Sequence, residues 1–582
     1  MKIFYIAFLF LLASLEAVSQ TWQQAYVNED AMVRCQRVNA PRIAHTKDSY
    51  PQMAGFPVSV AGNPYFKNFR GLALEDMDTN GITDIVFAAN STLYVYSYQG
   101  LIWQKAITGT AVYPPSVSDI NNDGLPEIVQ VTGGSPDNGR IYAFDHDGNI
   151  IPGWPVNFSN HWIICSPVLS DLNNDGNKEI IVCERMSPAG RVHILSNDGT
   201  SFSANWPVTL DGIPAVTPSV ADVDSDGEKE IVAYSTKSRY VFALDGTPET
   251  GFPLVTDPLQ KYSYQSPVIV DLDNDGQCEV AGATHGDAPE FYVMKNDGSA
   301  YPGWPKAVTD NSWTYSPPTA VRINGEWNIF MSRPIGSDAD EMLYGWNAAG
   351  NLLPNFPVVK PGGLEGFISV ADINNDGSFE LVFGSNLLDS TGYGFIHAYN
   401  ISSGGQVSGF PIRPRGWTFM NGANVGDVNG DNMMDLVALS YTNSYDSLFP
   451  DKVYVNVYEL NVPYAPEKVL WGTYKGANER TGYAGEMISG LPQPLPLVQN
   501  ISVSPNPVQE MLTLTWDQEA GGSMFLSIRD MAGRTLRNYE FSGLPAGANA
   551  ITVDMSTLPA GCYFSVLSGE EGVSRVTKII KN

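Results

Sequence analysis

Short apolar runs separated by polar turns follow one another along most of this chain. In one representative stretch, apolar residues fill most of 164–169, 179–183 and 191–195, and a Trp-Pro-Val motif follows at 206–208. Aspartate, asparagine and glycine dominate the connections, as in the Asn-Asp-Gly turn at 197–199. Runs of this length, bounded by turn-forming residues, predict β-strands. We therefore expect four strands, a to d, in this unit of the chain.

The four-strand pattern recurs with a period of roughly fifty residues. The aromatic-proline motif of strand d recurs at residues 55–58, 153–156, 251–254, 303–305, 356–358 and 409–412. A fixed period indicates stacked repeat units, and four short strands per unit are typical of propeller blades. The predicted fold class is an all-β propeller. Eight blades are favoured, and a seven-bladed ring with one irregular unit is the alternative.

One copy of the strand-d motif, at residues 55–58, precedes the first complete unit. It could complete the last blade and lock the ring, which protects the edges of a closed array. In the alternative, residues 469–471 fill that place and the N-terminal piece packs elsewhere.

An acidic nine-residue loop, Asp-x-(Asp/Asn)-x-(Asp/Asn)-Gly-x-x-(Asp/Glu), separates predicted strands a and b in seven units. Side chains at positions 1, 3 and 5 can converge on one point, and glycine at position 6 permits the turn. With the acid at position 9 they form an oxygen cage suited to Ca²⁺, although an EF-hand closes at position 12 between helices. The predicted ligands are Asp76, Asp78, Asn80, Asp84, Asp119, Asn121, Asp123, Glu127, Asp171, Asn173, Asp175, Glu179, Asp222, Asp224, Asp226, Glu230, Asp271, Asp273, Asp275, Glu279, Asp372, Asn374, Asp376, Glu380, Asp427, Asn429, Asp431 and Asp435.

Two units depart from this pattern. In the last loop, Gly430 stands at position 4 and Asn432 replaces the glycine, but asparagine tolerates left-handed geometry, so we still expect an ion there. Near Arg322 the loop is missing, and Asn324-Gly325 between apolar runs predicts a two-residue type I′ hairpin without calcium. A plain Asp/Asn/Gly turn is the alternative reading of any single loop. It does not explain seven loops with fixed acids.

These residues resemble the FG-GAP/VCBS repeats, which are β-propellers like the head of integrin α chains. The resemblance covers about residues 54–485. It implies that calcium is structural and lies on the face opposite the main ligand surface. The segment 471–482 is also similar to a closing segment that follows bacterial repeats of this kind.

Charge and cysteine content narrow the class of protein. The formal charge of −29 argues against a nucleic-acid partner, because phosphate binding needs basic patches. Seven calcium ions would offset roughly half of this charge. Five cysteines are too few for a disulfide framework. Cys165 and Cys183 flank one loop on neighbouring strands and form either a cross-strand bridge or two buried thiols.

The two ends of the chain indicate export. Residues 1–19 read as a signal peptide, with an apolar run at 3–12 before Ala-Val-Ser, and residues 20–53 form an N-terminal segment. We expect no transmembrane segment. A Pro/Leu-rich linker at 486–499 precedes alternating strands at 500–582, which predict a small Ig-like β-sandwich.

Four motifs of this last module resemble the type A sorting domain of the type IX secretion system. They are Pro-Asn-Pro at 505–507, Asp-Met-Ala-Gly-Arg at 530–534, Leu-Pro-Ala-Gly-Cys-Tyr at 558–563 and Lys-Ile-Ile-Lys at 578–581. The resemblance implies a Bacteroidota-type bacterium and the type IX secretion machinery as partner. It further implies export across the outer membrane, with release or anchoring at the cell surface. An ordinary Ig-like binding module is the alternative.

Strand order places the a–b loops and c–d turns on one face of the ring, and the b–c and d–a connections on the other. The d–a connections supply candidate ligand contacts, because aromatic rings and arginines can stack on sugars or anchor peptides. These candidates are His161, Trp162, Tyr262, Tyr264, Trp313, Tyr315, Arg413, Arg415 and Trp417. In the alternative, these aromatic residues wedge between blades as core.

No short catalytic motif is present in the sequence, such as His-Glu-x-x-His or a nucleophile elbow. The favoured function is therefore a secreted, surface-displayed binding or adhesion module for a glycan or protein. A lyase-like polysaccharide-degrading enzyme is the alternative. It would need a base and an arginine in one cleft, for which His161, Arg413 and Arg415 are candidates.

Overall fold

The protein is described here from a computed structural model. It describes residues 21–27, 33–39, 50–63, 71–133, 138–159, 161–186, 188–214, 217–256, 260–262, 265–286, 288–308, 316–333, 341–359, 366–442, 450–485, 498–518, 522–529, 535–545, 547–569 and 574–581. The predicted signal peptide and most of the linker lie outside these residues. The chain divides into two compact units, residues 1–491 and 492–582.

Within the described residues, the first unit contains eight antiparallel sheets of at least four strands, six of four strands and two of five. Sheet 1 comprises Ala73–Glu75, Asp84–Ala89, Thr92–Ser97 and Gly100–Ala106, and sheet 2 comprises Ser116–Ser118, Glu127–Thr132, Asn138–Phe144 and Val156–Ser159. Sheet 3 comprises Val168–Ser170, Glu179–Arg185, Gly190–Leu195 and Val208–Leu210, and sheet 4 comprises Ser219–Ala221, Glu230–Tyr234, Ser238–Phe242 and Leu254–Val255. Sheet 5 comprises Val268–Val270, Glu279–Gly286, Glu290–Met294 and Lys306–Ala307. Sheet 6 comprises Thr319–Ile323, Glu326–Ser332, Glu341–Asn347 and Val358–Val359.

Sheets 7 and 8 each take a strand from a distant part of the chain. Sheet 7 comprises Ser369–Ala371, Glu380–Phe383, His397–Asn400 and Val469–Trp471; sheet 8 comprises Ala423–Gly426, Met433–Thr442, Lys452–Pro463 and Val58–Ala61. Short strands Trp162–Ile163 and Gln260–Tyr262 extend sheets 3 and 5. The N-terminal strands Thr21–Val27 and Val33–Asn39 form a hairpin that pairs with Leu387–Leu388. One 3-10 turn spans Pro466–Lys468.

The first strands of the sheets form the centre of this unit. Every residue is buried in the first strands of sheets 2 to 5, 7 and 8, because each strand packs against neighbours on both faces. Each sheet contacts the next through these strands, with Val469–Trp471 between sheets 6 and 7, and sheet 8 contacts sheet 1. This confirms the all-β propeller class predicted from the sequence.

The tryptophans before strand d join neighbouring sheets. The indole Nε1 of Trp154 donates to the carbonyl of Asn197 at 2.9 Å, and that of Trp304 donates to Ala348 at 3.2 Å. Trp206 repeats the contact with Leu244 at 2.8 Å. The aromatic-proline motif therefore packs a large apolar ring between sheets and satisfies its polar atom on the adjacent turn.

The N-terminal strand closes the ring. Val58–Ala61 pairs with Lys452–Pro463, with Val58 opposite Val455. Residues 469–471 instead pair with the first strand of sheet 7, with Trp471 opposite Val370. The first of the two predicted closures is thus the one observed. It supplies the fourth, outermost strand of sheet 8 and covers the edge of Lys452–Pro463.

Residues 472–485, the axial segment, run across the first strands of many sheets. Val117, Leu169, Val220 and Ile269 of sheets 2 to 5 donate their backbone N–H groups to carbonyls of this segment at 2.8–3.2 Å. Val425 of sheet 8 donates to it in the same way at 3.2 Å. Since these strands surround the centre of the ring, the axial segment fills that centre.

Arg480 is the main polar anchor of the axial segment. Its guanidinium is fully buried and donates to the carbonyls of Leu72 at 3.0 Å and Pro115 at 3.2 Å. It also donates to Tyr474 and Ala477 of the segment itself, at 2.9 and 3.1 Å. Burial lowers the pKa of Arg480 to about 10, so the residue remains charged at neutral pH. One side chain therefore links sheets 1 and 2 to the axial segment.

The cysteine alternatives can also be compared with the structure. Cys165 and Cys183 are free and fully buried, and the backbone N–H of Cys183 donates to Sγ of Cys165 at 3.2 Å. Two buried thiols are the arrangement observed.

The second unit is a two-sheet β-sandwich. One sheet pairs Val498–Ser504, Met511–Gln518 and Gly547–Asp554. The other pairs Thr535–Leu544, Gly522–Arg529, Gly561–Gly569 and Ser574–Lys581. Buried Leu514, Trp516, Leu526 and Ile528 form its core, as the alternating pattern predicts. The predicted motif at 530–534 lies outside the described residues. No helix long and apolar enough to cross a bilayer occurs in the described parts of either unit.

Replacing Arg480 with methionine should lower the free energy of unfolding by about 3 kcal/mol, because several buried carbonyls lose their donor. Urea unfolding followed by tryptophan fluorescence measures the change. Arg322→Met, at an exposed hairpin residue, is the control and should shift stability by less than about 0.5 kcal/mol. Equal effects of the two substitutions would contradict the anchoring role of Arg480.

Candidate metal loops and the opposite face

All seven acidic loops share one pattern of hydrogen bonds. The carboxylate at position 1 accepts the backbone N–H of position 6 at 2.7–3.2 Å. The buried acid at position 9 accepts the N–H of position 2 at 2.8–3.3 Å. These bonds curl each loop so that positions 1 and 9 approach each other. The local sequence therefore builds the cage geometry within each hairpin.

Two backbone positions in each loop are left-handed. Position 6 has φ between 60° and 95°, as the glycine there predicts. Position 4 also has φ between 57° and 74°, which the sequence reasoning missed. The last loop has Gly430 and Asn432 at these two positions, at φ 74° and 60°. The last loop thus has its glycine at position 4 and an asparagine at position 6, where the other loops have glycine. Both residues accept left-handed geometry, so the loop conformation is kept.

Two loops bring three carboxylates close together. In Asp222, Asp224 and Glu230, and equally in Asp271, Asp273 and Glu279, one oxygen of each residue lies within 4.8 Å of the others. These clusters could hold a metal ion. Both loops are acidic at positions 1, 3, 5 and 9, whereas the four other loops with Asp at position 5 carry Asn at position 3.

The electrostatics of these clusters fit a bound cation. The Oδ1 atoms of Asp222 and Asp271 are buried and have no hydrogen-bond partner among the described residues. Burial, with repulsion from the other loop acids, raises the pKa of Glu230 to about 8 and that of Glu279 to about 7. Gathering buried carboxylates is costly unless a positive charge accompanies them. An all-oxygen donor set of this kind suits a hard divalent cation.

The unit without an acidic loop contains the predicted hairpin. Thr319–Ile323 and Glu326–Ser332 pair directly, and Asn324 and Gly325 between them have φ values of 53° and 85°. Positive φ at both central residues is the signature of a type I′ turn. The strand pairing therefore persists where the acidic loop is lost.

Several predicted ligand contacts lie in the core instead of on a surface. Trp417 is fully buried against Tyr441, with ring centroids 5.8 Å apart, and Tyr262 is 2% exposed. Tyr262 packs beside Arg239, whose guanidinium carbon lies 4.7 Å from its ring centroid. Both aromatic rings pack between strands in the core, because their large apolar surfaces are more stable when buried. Tyr264, Trp313 and Tyr315 lie outside the described residues.

His161 and Trp162 are half-buried at the end of sheet 3. The Nδ1 atom of His161 lies 2.5 Å from Glu184 Oε1, and His193 Nε2 lies 2.8 Å from Glu184 Oε2. Burial pushes the pKa of Glu184 upward, but the hydrogen bonds from His193 and His161 outweigh it and lower this pKa. Glu184 therefore remains an anion that accepts from both imidazoles.

Arg413 and Arg415 lie in the connection between sheets 7 and 8, and Arg415 forms an isolated bridge with Tyr393. Arg413 forms an ion pair with Asp389, and its guanidinium carbon lies 4.1 Å from the Phe395 ring centroid. Arg415 stacks over exposed Tyr393 at 5.3 Å. These arginines are therefore beside sheet 7, whereas His161 is at the end of sheet 3. Arg413 is already paired with Asp389.

The arginines are concentrated on one side of the ring. Eight occur between residues 71 and 463, and seven of them stand at the b–c or d–a ends of strands. They are Arg140, Arg185, Arg191, Arg239, Arg333, Arg413 and Arg415. We call this side the arginine face. The acidic loops occupy the opposite ends of the same strands, although acids such as Asp211, Glu290 and Asp389 also stand on the arginine face.

Comparison with known families agrees with these two units. The FG-GAP-like repeat matches residues 119–182 and 171–233, and the secretion system C-terminal sorting domain matches residues 502–582. No curated protein matches the chain significantly. The chain therefore contains FG-GAP-like repeats and a type IX sorting domain. The sorting domain directs secretion across the outer membrane, to the cell surface or the extracellular space.

Solved structures show distant likeness. The Vibrio cholerae biofilm matrix protein Bap1 is 14% identical, over 72% of this chain and 89% of its own, with a TM-score of 0.44. The C-terminal domain of Pseudomonas aeruginosa PilY1 is 12% identical, over 64% and 92%, with a TM-score of 0.35. PorZ of the Porphyromonas gingivalis type IX secretion system is 10% identical, over 88% and 86%, with a TM-score of 0.17.

Asn274→Val should lower the free energy of unfolding by about 1–2 kcal/mol, because an exposed left-handed position disfavours a β-branched residue. Asn274→Gly is the matched control and should be neutral or slightly stabilising, since glycine accepts this φ of 59°. Chemical denaturation in calcium-containing buffer measures both. A loss of stability with glycine as large as that with valine would contradict the conformational explanation.

Proposed function

We propose that this protein is an exported, calcium-stabilised propeller that presents its arginine face at the cell surface as a binding module for a glycan or protein. In this proposal each of the eight sheets is one blade of a single ring. The observation that carries the proposal is the separation of acidic loops and arginines onto opposite sides of the same strands. One side supplies the metal sites and the other supplies the binding surface.

Calcium has a structural role in this proposal. The ligands would be the side chains at loop positions 1, 3, 5 and 9, with the carbonyl at position 7. The unpartnered Oδ1 atoms of Asp222 and Asp271 support this assignment. A bound cation would remove the repulsion among the loop acids and hold strands a and b of each unit in register.

The rim of the ring is the part available to a ligand. The axial segment fills the centre, where Arg480, Lys475 and Tyr474 are fully buried. A ligand would therefore contact the b–c and d–a connections. Binding residues are commonly carried on such loops, because a rigid scaffold holds them in place.

A lyase-like enzyme is the second candidate. The hydrogen bond between His161 and Glu184 supports it, since a carboxylate can orient an imidazole that acts as a base. Arg191, whose Nη1 atom lies 3.9 Å from Glu184 Oε2, would neutralise a substrate carboxylate. This arrangement replaces the combination of His161 with Arg413 and Arg415 that was expected from the sequence.

Asp271→Ala combined with Asp273→Ala should lower the bound calcium by one ion per chain, because both residues supply ligands of one loop. Equilibrium dialysis followed by elemental analysis counts the ions. Glu326→Ala, which removes an exposed acid from the hairpin of sheet 6, is the control and should leave the count unchanged. An unchanged count in the double variant would refute this loop as a site.

Removing calcium with EDTA should lower the melting temperature, because ions that bind only the folded state stabilise it by mass action. Calorimetry with EDTA, and then with calcium restored, checks this expectation. A melting temperature that is insensitive to both additions would contradict a structural role of the ion.

Incubation with a panel of acidic and neutral polysaccharides separates the two candidate functions. A binding module should retain a polysaccharide without changing it, whereas a lyase should create new unsaturated ends that absorb ultraviolet light. His161→Ala should abolish such turnover if the lyase reading holds. Retention without turnover would support the binding module.

A further inference from the structure

We propose that the arginine face binds an acidic polysaccharide, and that the contact is centred on sheet 3 at Trp162 and Arg185, here called the sheet 3 patch. This inference rests on the proposed binding function and adds the chemical class of its ligand. The shared chemistry is a sugar ring that carries a carboxylate or sulfate group.

Trp162 and Arg185 form the centre of the sheet 3 patch. They are paired across two strands, and the Arg185 guanidinium carbon lies 5.6 Å from the Trp162 ring centroid. Both side chains are half-buried, so part of each is exposed to solvent. A pyranose ring stacks on an indole, while a guanidinium binds a carboxylate or sulfate through paired donors. The two side chains together therefore match a charged sugar.

The charge of Arg185 is not compensated within the described residues. Its guanidinium stacks on the Trp162 ring, and no carboxylate of the described residues forms an ion pair with it. The adjacent carboxylate, Glu184, is 3% exposed and already accepts from His161 and His193. Arg185 is thus a partly exposed cation whose neighbouring acid is occupied, which leaves its donors for an anionic ligand.

Arg191 and His161 lie on the other face of sheet 3, beside Glu184. The Arg191 Nη1 atom lies 3.9 Å from Glu184 Oε2, at the far edge of hydrogen-bonding reach, and its side chain is 39% exposed. The His161 side chain is 32% exposed, and Glu184 holds its Nδ1 atom. Glu184 therefore faces Arg191, His161 and His193 but not Arg185, because successive side chains of a strand point to opposite faces, and the Arg185 charge beside Trp162 is not offset by Glu184.

The ligand class follows from the size and surroundings of the sheet 3 patch. A nucleic acid needs a long track of phosphate contacts. The other arginines do not extend such a track, since Arg413 is paired with Asp389 and Arg333 is buried. A polysaccharide needs only one or two charged rings at an aromatic platform. The acidic loops on the opposite side repel a polyanion and restrict it to the arginine face.

The test compares binding of the exported chain to polygalacturonate, dextran sulfate and uncharged dextran by affinity electrophoresis and titration calorimetry. The wild type should bind a charged polymer and not dextran, and binding should weaken with salt. Arg185→Gln and Trp162→Ala should each lower the affinity about tenfold or more. Binding of dextran sulfate alone would identify sulfate as the charged group, and binding of polygalacturonate alone would identify carboxylate.

The matched control is Lys105→Gln, which removes another cation that stacks on a tryptophan, on sheet 1. It should leave the affinity unchanged, and equal melting temperatures would show that all variants fold. Equal affinities of wild type and Arg185→Gln would overturn the inference, as would equal binding of DNA. Binding of dextran or a protein without any charged glycan would overturn this inference and leave the proposed function standing. Failure to bind any glycan or protein would count against both.

Discussion

The closure of the ring is the constraint on which the rest of the first unit depends. A row of four-stranded sheets has exposed edges at both ends unless the ends meet. Here they meet because Val58–Ala61, from the start of the chain, pairs with Lys452–Pro463 near its end. The axial segment adds a second connection through Arg480. The positions of the acidic loops and of the arginine face both follow from this closure.

Ring closure also gathers negative charge on one side, and the repulsion among these acids must be offset for the fold to be stable. Placing every a–b loop on one side gathers twenty-three acidic side chains at positions 1, 3, 5 and 9. The acid at position 9 is buried in each loop, and the backbone N–H of position 2 satisfies only one of its oxygens. A divalent ion at each cage would stabilise this arrangement. The same strand order places the arginines on the other side, where several of them stack on aromatic rings.

Local patterns predicted the loops well because their geometry is set within nine residues. The spacing of Asp271, Asp273 and Glu279 determines where their side chains point once Gly276 turns the chain. The left-handed residue at position 4 was missed, since asparagine, serine and threonine at that position carry no strong signal. Tyr262 and Trp417 were misplaced for a different reason. An aromatic residue in a connection has the same sequence signal whether its ring faces solvent or the core.

The sequence by itself determined the repeat, the strand pattern, the acidic loops, the exception at Asn324-Gly325 and the sorting domain, because each depends on residues that are close along the chain. Only the tertiary structure decided which strand closes the ring, what fills its centre and which side chains meet on sheet 3. His161, Glu184 and His193 are separated by more than a strand, and no spacing rule connects them. Their contact exists because neighbouring strands bring distant residues together.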